Sequence, residues 1–289
     1  VEAASQNTPR VALLGEIFPV DAITIDALLK PLGAGAGPVV PTREWRELYA
    51  ALDCDLVAAV HPHYTASQRE FTAAGRPTIG SAPVGVEGSA NWLRQVGKIL
   101  GIDPEQLEAH IESVSASIAA VVAANPINGK ITLSGYEGSE LLVARLLIEC
   151  GADLGYVGTA CAATPWSATD REWLEARGVT VRFRASLEDD IAAVEHIQPD
   201  LAIGTTPVVQ HAKERNIPGL YFTNLISARP LMGPAGAASL ASIINSAIGN
   251  KARFSAMEAF FGDTGRDHSA GIWTPDTARS AGLLNEVAS

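Results

Sequence analysis

The stretch Val11-Ala-Leu-Leu14, closed by Gly15, is the part of the sequence from which the fold is first predicted. It is a continuous apolar run, and residues 21–32 behind it have the spacing of an amphipathic helix that ends at Gly33. Strands without alternation of apolar and polar residues are typical of parallel sheets buried on both faces. The two segments therefore predict the opening unit of an α/β fold.

The same succession of short apolar runs and helical segments continues as far as residue 79. Strands are predicted at 38–40, 55–60 and 78–79, and helices at 42–52, with Thr42 as the N-cap, and at 66–74. Strands that alternate with helices in this way are joined by right-handed crossovers. The first half of the chain is therefore predicted to be a doubly wound parallel sheet.

A long helix is predicted to close this first half. Asp103 can cap it, Pro104 suits its first position, and Gln106 can complete a capping box. An apolar stripe with three- and four-residue spacing follows, formed by Leu107, Ile111, Val114, Ile118 and Val121. The helix ends before Asn125-Pro126, so we expect one domain over 1–125 and a second over 126–289.

The strand and helix pattern starts again in the second half. Strands are predicted at 131–133, 154–159, 180–183, 200–204 and 220–223, and helices at 138–150, 169–177, 187–196 and 208–216. In each half the last strand leads through a loop rich in Pro and Gly, at 81–85 and 227–236, into a further helix. The expected fold is therefore α/β, with two Rossmann-like domains of doubly wound parallel sheet.

Composition excludes several classes of protein. The 289 residues are 47% hydrophobic and carry a formal net charge of −11, which argues against a nucleic-acid binder or a polybasic membrane-surface protein. The apolar stretch 114–124 is too short to span a bilayer. Three scattered cysteines without a CxxC favour a reducing compartment, so we expect a cytoplasmic protein. The chain begins at Val1 and not at Met, which indicates a processed or a cut start.

Nucleotide-binding motifs are not convincing in this sequence. Gly33-Ala-Gly-Ala-Gly37 follows a predicted helix, whereas the dinucleotide fingerprint follows a strand and opens a helix. Gly233-Pro-Ala-Gly236 does open a helix, and either an anion site or a structural turn explains it. The sequence has no Walker A motif. We therefore do not expect these domains to bind NAD or ATP.

Ligands of open α/β sheets bind beyond the carboxyl ends of the strands, so the residues that follow each strand define a candidate crevice. They are Glu16, Phe18, His61 to Tyr64, Ser81 and Pro83 in the first half, and Tyr136, Glu137, Thr159 to Cys161, Thr205 to Pro207 and 227–232 in the second. The set is apolar, aromatic and sparsely charged. It suits a large, flat, mostly hydrophobic ligand.

Histidine and cysteine residues leave their roles open at this stage. His61 and His63 form an HxH pair, but no acidic or cysteine partner lies nearby in sequence, so a proton donor or a hydrogen-bonded loop histidine is favoured over a metal ligand. Cys54 and Cys150 are expected to be small buried hydrophobic residues. Cys161 is the only cysteine on the crevice side of the predicted sheets.

Several runs resemble a known family of reductases. They are Gly158-Thr-Ala-Cys161, Thr164-Pro-Trp-Ser167, residues 170–178, residues 199–209 and residues 220–236, with 15–19, 61–65, 82–88 and Gly271-Ile-Trp273 in support. Together they resemble the Y subunits of the chlorophyllide a oxidoreductases, which are nitrogenase-like enzymes of bacteriochlorophyll synthesis. The resemblance covers essentially the whole chain.

The resemblance implies that this chain is part of a larger assembly. Subunits of that family have three Rossmann-like domains, and this chain resembles only the middle and last ones. The first domain and the partner Z subunit share a [4Fe–4S] cluster, whose ligands would then lie before Val1, so Val1 marks a truncation and the piece alone is expected to be inactive. The family forms a Y–Z heterotetramer that receives electrons from an ATP-hydrolysing iron–sulfur component. It reduces the C7=C8 bond in ring B of chlorophyllide a.

A reduced macrocycle needs protons at carbon, which a poorly solvated acid can donate. The candidate donors are Glu16, Glu137 and His61, and an ordinary hydrogen bond in a loop is the alternative for each. The candidate substrate-binding residues are Phe18, Tyr64, Tyr136, Thr159, Cys161, Thr206, Met232 and Arg229, of which Arg229 can pair with a substrate carboxylate. No metal ligand is expected in this chain.

Two other assignments remain open. Protochlorophyllide reductase subunits and nitrogenase cofactor-assembly proteins share the fold, although the Gly158 and Leu220 runs favour the chlorophyllide enzyme. Two Rossmann-like lobes joined by one long helix also describe the substrate-binding proteins of metal-chelate importers.

Overall fold

The structure is a computed structural model that describes residues 8–15, 21–227, 231–253 and 255–256. The described strands are β1 Arg10–Leu14, β2 Gly35–Val40, β3 Leu56–Ala59, β4 Thr78–Gly80, β5 Lys130–Gly135, β6 Asp153–Thr159, β7 Thr180–Phe183, β8 Leu201–Gly204 and β9 Gly219–Tyr221. The described helices are α1 Ala22–Leu29, α2 Trp45–Leu52, α3 Thr65–Ala73, α4 Gly85–Leu100, α5 Pro104–Ala124, α6 Glu140–Glu149, α7 Pro165–Glu175, α8 Leu187–Ile197, α9 Thr206–Glu214, α10 Phe222–Ser227 and α11 Gly233–Gly249.

The strands form two parallel sheets, as the sequence predicts. The order is β2-β1-β3-β4 in the first sheet and β7-β6-β5-β8-β9 in the second. All the strand pairs within them are parallel. Every residue of β3 and β8 is buried, which is the pattern of strands covered by helices on both faces. The α/β fold class is therefore confirmed.

A single large hydrophobic cluster joins the two sheets. It contains Leu13 and Leu56 from the first sheet, Leu133 and Ile203 from the second, and Trp92 from α4. The α5 helix packs against α4 and α11. The domain limits at 125 and 126 stay a prediction, because separate sheets do not by themselves define separately folding units.

The long helix α5 has the cap and the stripe that the sequence predicts. Asp103 accepts hydrogen bonds from the backbone N–H groups of Glu105 and Gln106, at 3.1 and 3.0 Å. Among the residues that the structure describes, α5 alone is long and apolar enough to cross a membrane by length and composition. Its buried side chains are those of the stripe, namely Leu107, Ile111, Val114 and Ile118. The predicted capping box does not form, because the side chain of Gln106 donates to the carbonyl oxygen of Pro31 at 2.9 Å.

Several helices begin at residues other than the predicted ones. Helix α2 begins at Trp45, and Thr42 does not cap it; the Arg43 N–H donates instead to the Glu47 carboxylate at 3.2 Å. Helices α7 and α9 begin earlier than predicted, at Pro165 and Thr206. In both, a proline that was assigned to the preceding loop lies in the first turn, where its missing N–H costs no hydrogen bond.

Two boundaries in the second half also differ from the prediction. Gly138 has φ of +104°, which is outside the helical range, so α6 begins at Glu140 and not at Gly138. Strand β9 ends at Tyr221, and Phe222 opens α10 with its side chain in the core. Gly33 ends the preceding helix as expected, with φ of +72°, but β2 begins at Gly35, three residues before the predicted strand at 38–40.

Candidate functional site

The ends of strands from both sheets bring a histidine and a glutamate together. His61 follows β3 and Glu137 follows β5, and their Nε2 and Oε1 atoms lie 3.0 Å apart. The His61 side chain is nearly buried, with a relative exposure of 5%. Two of the three predicted proton donors, 76 positions apart in the chain, therefore meet at one site.

The hydrogen bonds of His61 define where its proton lies. The backbone N–H of His63 donates to Nδ1 of His61 at 3.3 Å, so Nδ1 is an acceptor. The ring proton therefore sits on Nε2, which donates to the Glu137 carboxylate. The ring of His63 occupies the space that a Cβ at position 138 would need, which explains why that position is glycine.

Glu137 is held as an anion. Burial opposes its ionisation, but hydrogen bonds from His61 and from the hydroxyl and backbone N–H of Ser139 outweigh burial and lower the pKa of the carboxyl. The carboxylate also lies at the N-terminus of α6, where the helix dipole favours negative charge. This direction is opposite to the raised pKa that suits a carboxylic proton donor, so the transferable proton of the pair belongs to His61.

A second carboxyl, that of Glu140, lies behind this pair, and its pKa shifts in the opposite direction. The Glu140 side chain is fully buried, and burial raises the pKa of its carboxyl above the usual range. It accepts hydrogen bonds from the backbone N–H groups of Glu137 and Gly138, at 2.9 and 2.7 Å, and from the hydroxyl of Thr159. Glu140 thereby fixes the backbone that carries Glu137.

The loop after β6 completes this polar network. The N–H of Cys161 donates to the Thr159 hydroxyl at 3.2 Å, and the Cys161 thiol contacts the carbonyl oxygen of Tyr136 at 3.3 Å. Burial raises the pKa of the Cys161 thiol, which keeps it protonated. The Tyr136 side chain is 59% exposed and stands at the surface above the network. The residues that follow β5 and β6 therefore form a polar network beneath Tyr136, whereas the sequence predicts an apolar and sparsely charged crevice.

Other predicted site residues have different positions. Tyr64 packs edge-on against His61, with ring centroids 5.7 Å apart, and Thr206 is the exposed first residue of α9. Met232 is 3% exposed and belongs to the hydrophobic core, and Thr159 is 1% exposed, so the assignment of both to the crevice surface is wrong. Glu16, Phe18 and Arg229 lie outside the described residues, as does Gly271-Ile-Trp273.

The described residues do not fit an iron–sulfur cluster. Cys54, Cys150 and Cys161 lie in three different connections, after α2, α6 and β6, and burial raises the pKa of all three thiols. A cluster needs several thiolates at one place. Within the described ranges no group of three or more His, Cys, Asp or Glu side chains could hold a metal ion. Both ring nitrogens of His61 are already engaged in hydrogen bonds.

The acid that sequence reasoning missed is Glu140. Its signal was the run Glu137-Gly-Ser-Glu140, which places two carboxylates across the start of a helix. The helix was predicted to begin at Gly138, so Glu140 counted as an ordinary helical position. Only the positive φ of Gly138 turns the loop so that Glu140 folds back beneath Glu137.

Comparison with known proteins gives consistent matches. Residues 1–248 match the family described as nitrogenase component 1 type oxidoreductase. The chain is 64% identical over 267 residues to the chlorophyllide reductase 52.5 kDa chain of Cereibacter sphaeroides, and 59% identical to that of Rhodobacter capsulatus. These matches cover 92% of this chain and 53% and 54% of those proteins, so the chain spans about half the length of the relatives it matches.

More distant matches include a protochlorophyllide reductase subunit in sequence and a nitrogenase protein in structure. Subunit N of the light-independent protochlorophyllide reductase of Trichodesmium erythraeum is 24% identical, over 68% of this chain and 44% of that protein. The solved structure "Nitrogenase Cp1 at pH 5" superposes with a TM-score of 0.68 and 16% identity, over 85% of this chain and 57% of that one. The sequence matches favour a reductase subunit over the alternative of a substrate-binding protein of an importer.

Proposed function

Because this chain belongs to the family of nitrogenase component 1 type oxidoreductases, we propose that it serves in the catalytic component of an enzyme that reduces chlorophyllide a. The observation that carries the proposal is the 64% identity to a chlorophyllide reductase chain over 92% of this sequence. The identity to protochlorophyllide reductase subunits is far lower, at 24% to 27%. The chlorophyllide enzyme is therefore the better assignment.

The proposed reaction adds two electrons and two protons to the C7=C8 bond of ring B, so that each carbon gains one hydrogen. The electrons come from an ATP-hydrolysing iron–sulfur component through a [4Fe–4S] cluster. Since the described cysteines do not fit that cluster, its ligands belong to other parts of the complex, including a Z-type partner subunit. We place the complex in the cytoplasm.

We assign proton delivery to the His61–Glu137 pair. An imidazole with a carboxylate against one nitrogen can take up a proton, because the carboxylate stabilises the imidazolium. His61 is then the candidate donor: a proton taken up at Nδ1 replaces the hydrogen bond from the His63 N–H and can pass to the substrate, while Glu137 is the positioning residue that holds the ring through Nε2. The shielding of His61 from water suits this role, since a buried donor exchanges its proton less freely with solvent.

The experiment needs the full-length subunit, produced anaerobically with its partner subunit and the electron-donating component. We expect the absorbance of chlorophyllide to decrease only when ATP is present. His61→Gln keeps a hydrogen bond to Glu137 but cannot hold an extra proton, so we expect kcat to fall about 100-fold or more. Glu137→Gln should lower kcat and move the alkaline limb of the kcat–pH profile to lower pH, because a proton donor must be protonated and the imidazolium loses the carboxylate that stabilises it.

His110 provides the matched control. It lies on α5, and its ring contacts the backbone oxygen of Leu28 at 2.8 Å, so His110→Gln removes a histidine outside the site. We expect this variant to keep wild-type turnover. A wild-type complex that leaves chlorophyllide unchanged would refute the proposed function, whereas full activity of both site variants would refute only the role of the pair.

A further inference from the structure

A cleft lies between the two halves of the molecule, beside the end of β4. Its volume is about 420 Å³, which is within the usual range for small-molecule sites. The first half contributes Ser81 and the α4 residues Asn91 and Arg94, and the second half contributes Arg145 from α6 with Trp166 and Asp170 from α7. None of these residues belongs to the His61–Glu137 pair or its network.

The wall of the cleft contains a buried arginine with unused hydrogen-bond donors. Arg145 is 5% exposed, and its Nη1 donates to Asp170 Oδ1 at 2.6 Å. Its Nε and Nη2 are also buried, and no hydrogen-bond partner for either exists among the described residues. The Trp173 ring faces the guanidinium at 4.8 Å, but a contact with the ring face does not satisfy in-plane N–H groups. Unsatisfied donors on a buried charge are costly, so a partner is expected there.

The unpaired edge of Arg145 has the geometry that binds a carboxylate. Nε and Nη2 form one side of the guanidinium, from which two N–H groups project in parallel. Arg94 uses this same edge in this protein, because its Nε and Nη2 donate to the two carboxylate oxygens of Glu108, each at 2.9 Å. Within the described part of the chain, no carboxylate accepts a hydrogen bond from the equivalent edge of Arg145, although the Glu149 carboxylate lies close enough to interact with its charge.

We propose that this cleft binds a carboxylate group through Nε and Nη2 of Arg145, with a rotation of the side chain that brings these buried atoms to the cleft surface. The hydroxyls of Ser81 and Thr169 and the amide of Asn91 line the rest of the cleft and can bind further polar groups, while Trp166 provides an aromatic wall. A carboxylate fits better than a phosphate, because Asp170 already neutralises part of the Arg145 charge and would repel a dianion.

The carboxylate has two possible sources, a free organic acid or the acid side chain of the tetrapyrrole. The second source rests on the proposed function, and the first does not. Calorimetric titration of the full-length subunit with benzoate, benzamide and inorganic phosphate tests the site without any activity. We expect one benzoate to bind per subunit. Benzamide, which is uncharged, and inorganic phosphate should each bind at least about tenfold more weakly.

Variants locate the binding. Arg145→Lys keeps a positive charge for Asp170 but removes the paired donors, and we expect it to weaken benzoate at least about tenfold. Asn91→Phe fills the cleft from the exposed side of α4 and leaves the Arg145–Asp170 pair intact, so it serves if the first variant fails to fold. Arg171→Lys alters an exposed arginine–glutamate pair on α7 and should leave benzoate binding unchanged.

Kinetic measurements test whether the carboxylate that binds is that of the tetrapyrrole. In the active complex, the methyl ester of chlorophyllide should have a KM at least about tenfold above that of the acid, and Arg145→Lys should raise the KM of the acid alone. Absence of both the benzoate binding and the ester effect overturns the proposal. Phosphate binding equal to that of benzoate, with the same dependence on Arg145, overturns the assignment to a carboxylate. An inactive wild-type complex refutes the proposed function and leaves the benzoate titration to decide the site.

Discussion

Two glutamates three positions apart show how local surroundings separate the chemistry of identical side chains. The hydrogen bonds of Glu137 lower its pKa, whereas the complete burial of Glu140 raises the pKa of that carboxyl. Glu137 is therefore the anion that faces His61, and Glu140 is the acid that supports the loop. Sequence alone identified Glu137 and His61 as neighbours of strand ends, but it could not assign opposite shifts to residues in one short run.

Glu137→Gln is expected to destabilise the fold by about 1–3 kcal/mol at pH 7, because the amide NH2 group cannot accept the hydrogen bonds from Ser139. The pKa of Glu137 is lowered in the folded chain, so its ionisation adds stability above its ordinary value of 4.5. That contribution is lost as the pH falls through the lowered pKa. Urea unfolding at pH 7 and at about pH 3 should therefore show a difference between variant and wild type that shrinks in acid.

Glu172→Gln is the control, since Glu172 is exposed on α7. Its effect should stay within about 0.5 kcal/mol at both pH values. If Glu137→Gln lost the same stability in acid as at neutral pH, the ionised carboxylate would not be the source of the stabilisation.

At the level of helices and strands, the prediction succeeded where one physical signal dominates. Apolar runs identified the buried strands, and Asp103 with Pro104 identified the start of α5. The starts of α2 and α7 were wrong because several residues near each start can cap or begin a helix. At α2 no side chain caps the first turn, and the Glu47 carboxylate instead accepts the N–H of Arg43, which precedes the helix; nothing in the sequence distinguished this arrangement from a cap by Thr42.

The two caps make a paired test. Asp103→Ala should destabilise the fold by about 1 kcal/mol, because two N–H groups at the start of α5 lose their acceptor. Thr42→Ala should change stability by less than about 0.5 kcal/mol, since α2 has no side-chain cap from Thr42. The measurement is the urea midpoint of each variant at an unchanged m-value. Equal losses for the two variants would contradict the assignment of the caps.

At the scale of the whole molecule, side chains of the second half supply hydrogen bonds that the first half does not provide for itself. Helix α4 has no side-chain cap of its own, and the Glu149 carboxylate from α6 accepts the N–H groups of Val86 and Glu87 instead. Glu87 in turn accepts hydrogen bonds from the indole of Trp173 and the guanidinium of Arg177. Such long-range partners cannot be read from one sequence, because each half appears complete in its local pattern.

These contacts and the shared core predict that both sheets unfold together, even though the sequence pattern predicts a domain limit at residue 125. Amide hydrogen exchange across a urea series should show Leu56–Ala59 of β3 and Leu201–Gly204 of β8 losing protection at one midpoint. Glu149→Ala removes the acceptor at the start of α4, so it should lower the free energy of unfolding by about 1–3 kcal/mol and move both urea midpoints down by the same amount.

Glu175→Ala is the control. Glu175 forms an exposed pair with Arg171, and its removal should lower the free energy of unfolding by less than about 1 kcal/mol. Protection of β8 that outlasts that of β3 would show instead two domains that fold independently, because a core shared by both sheets cannot remain packed around only one of them.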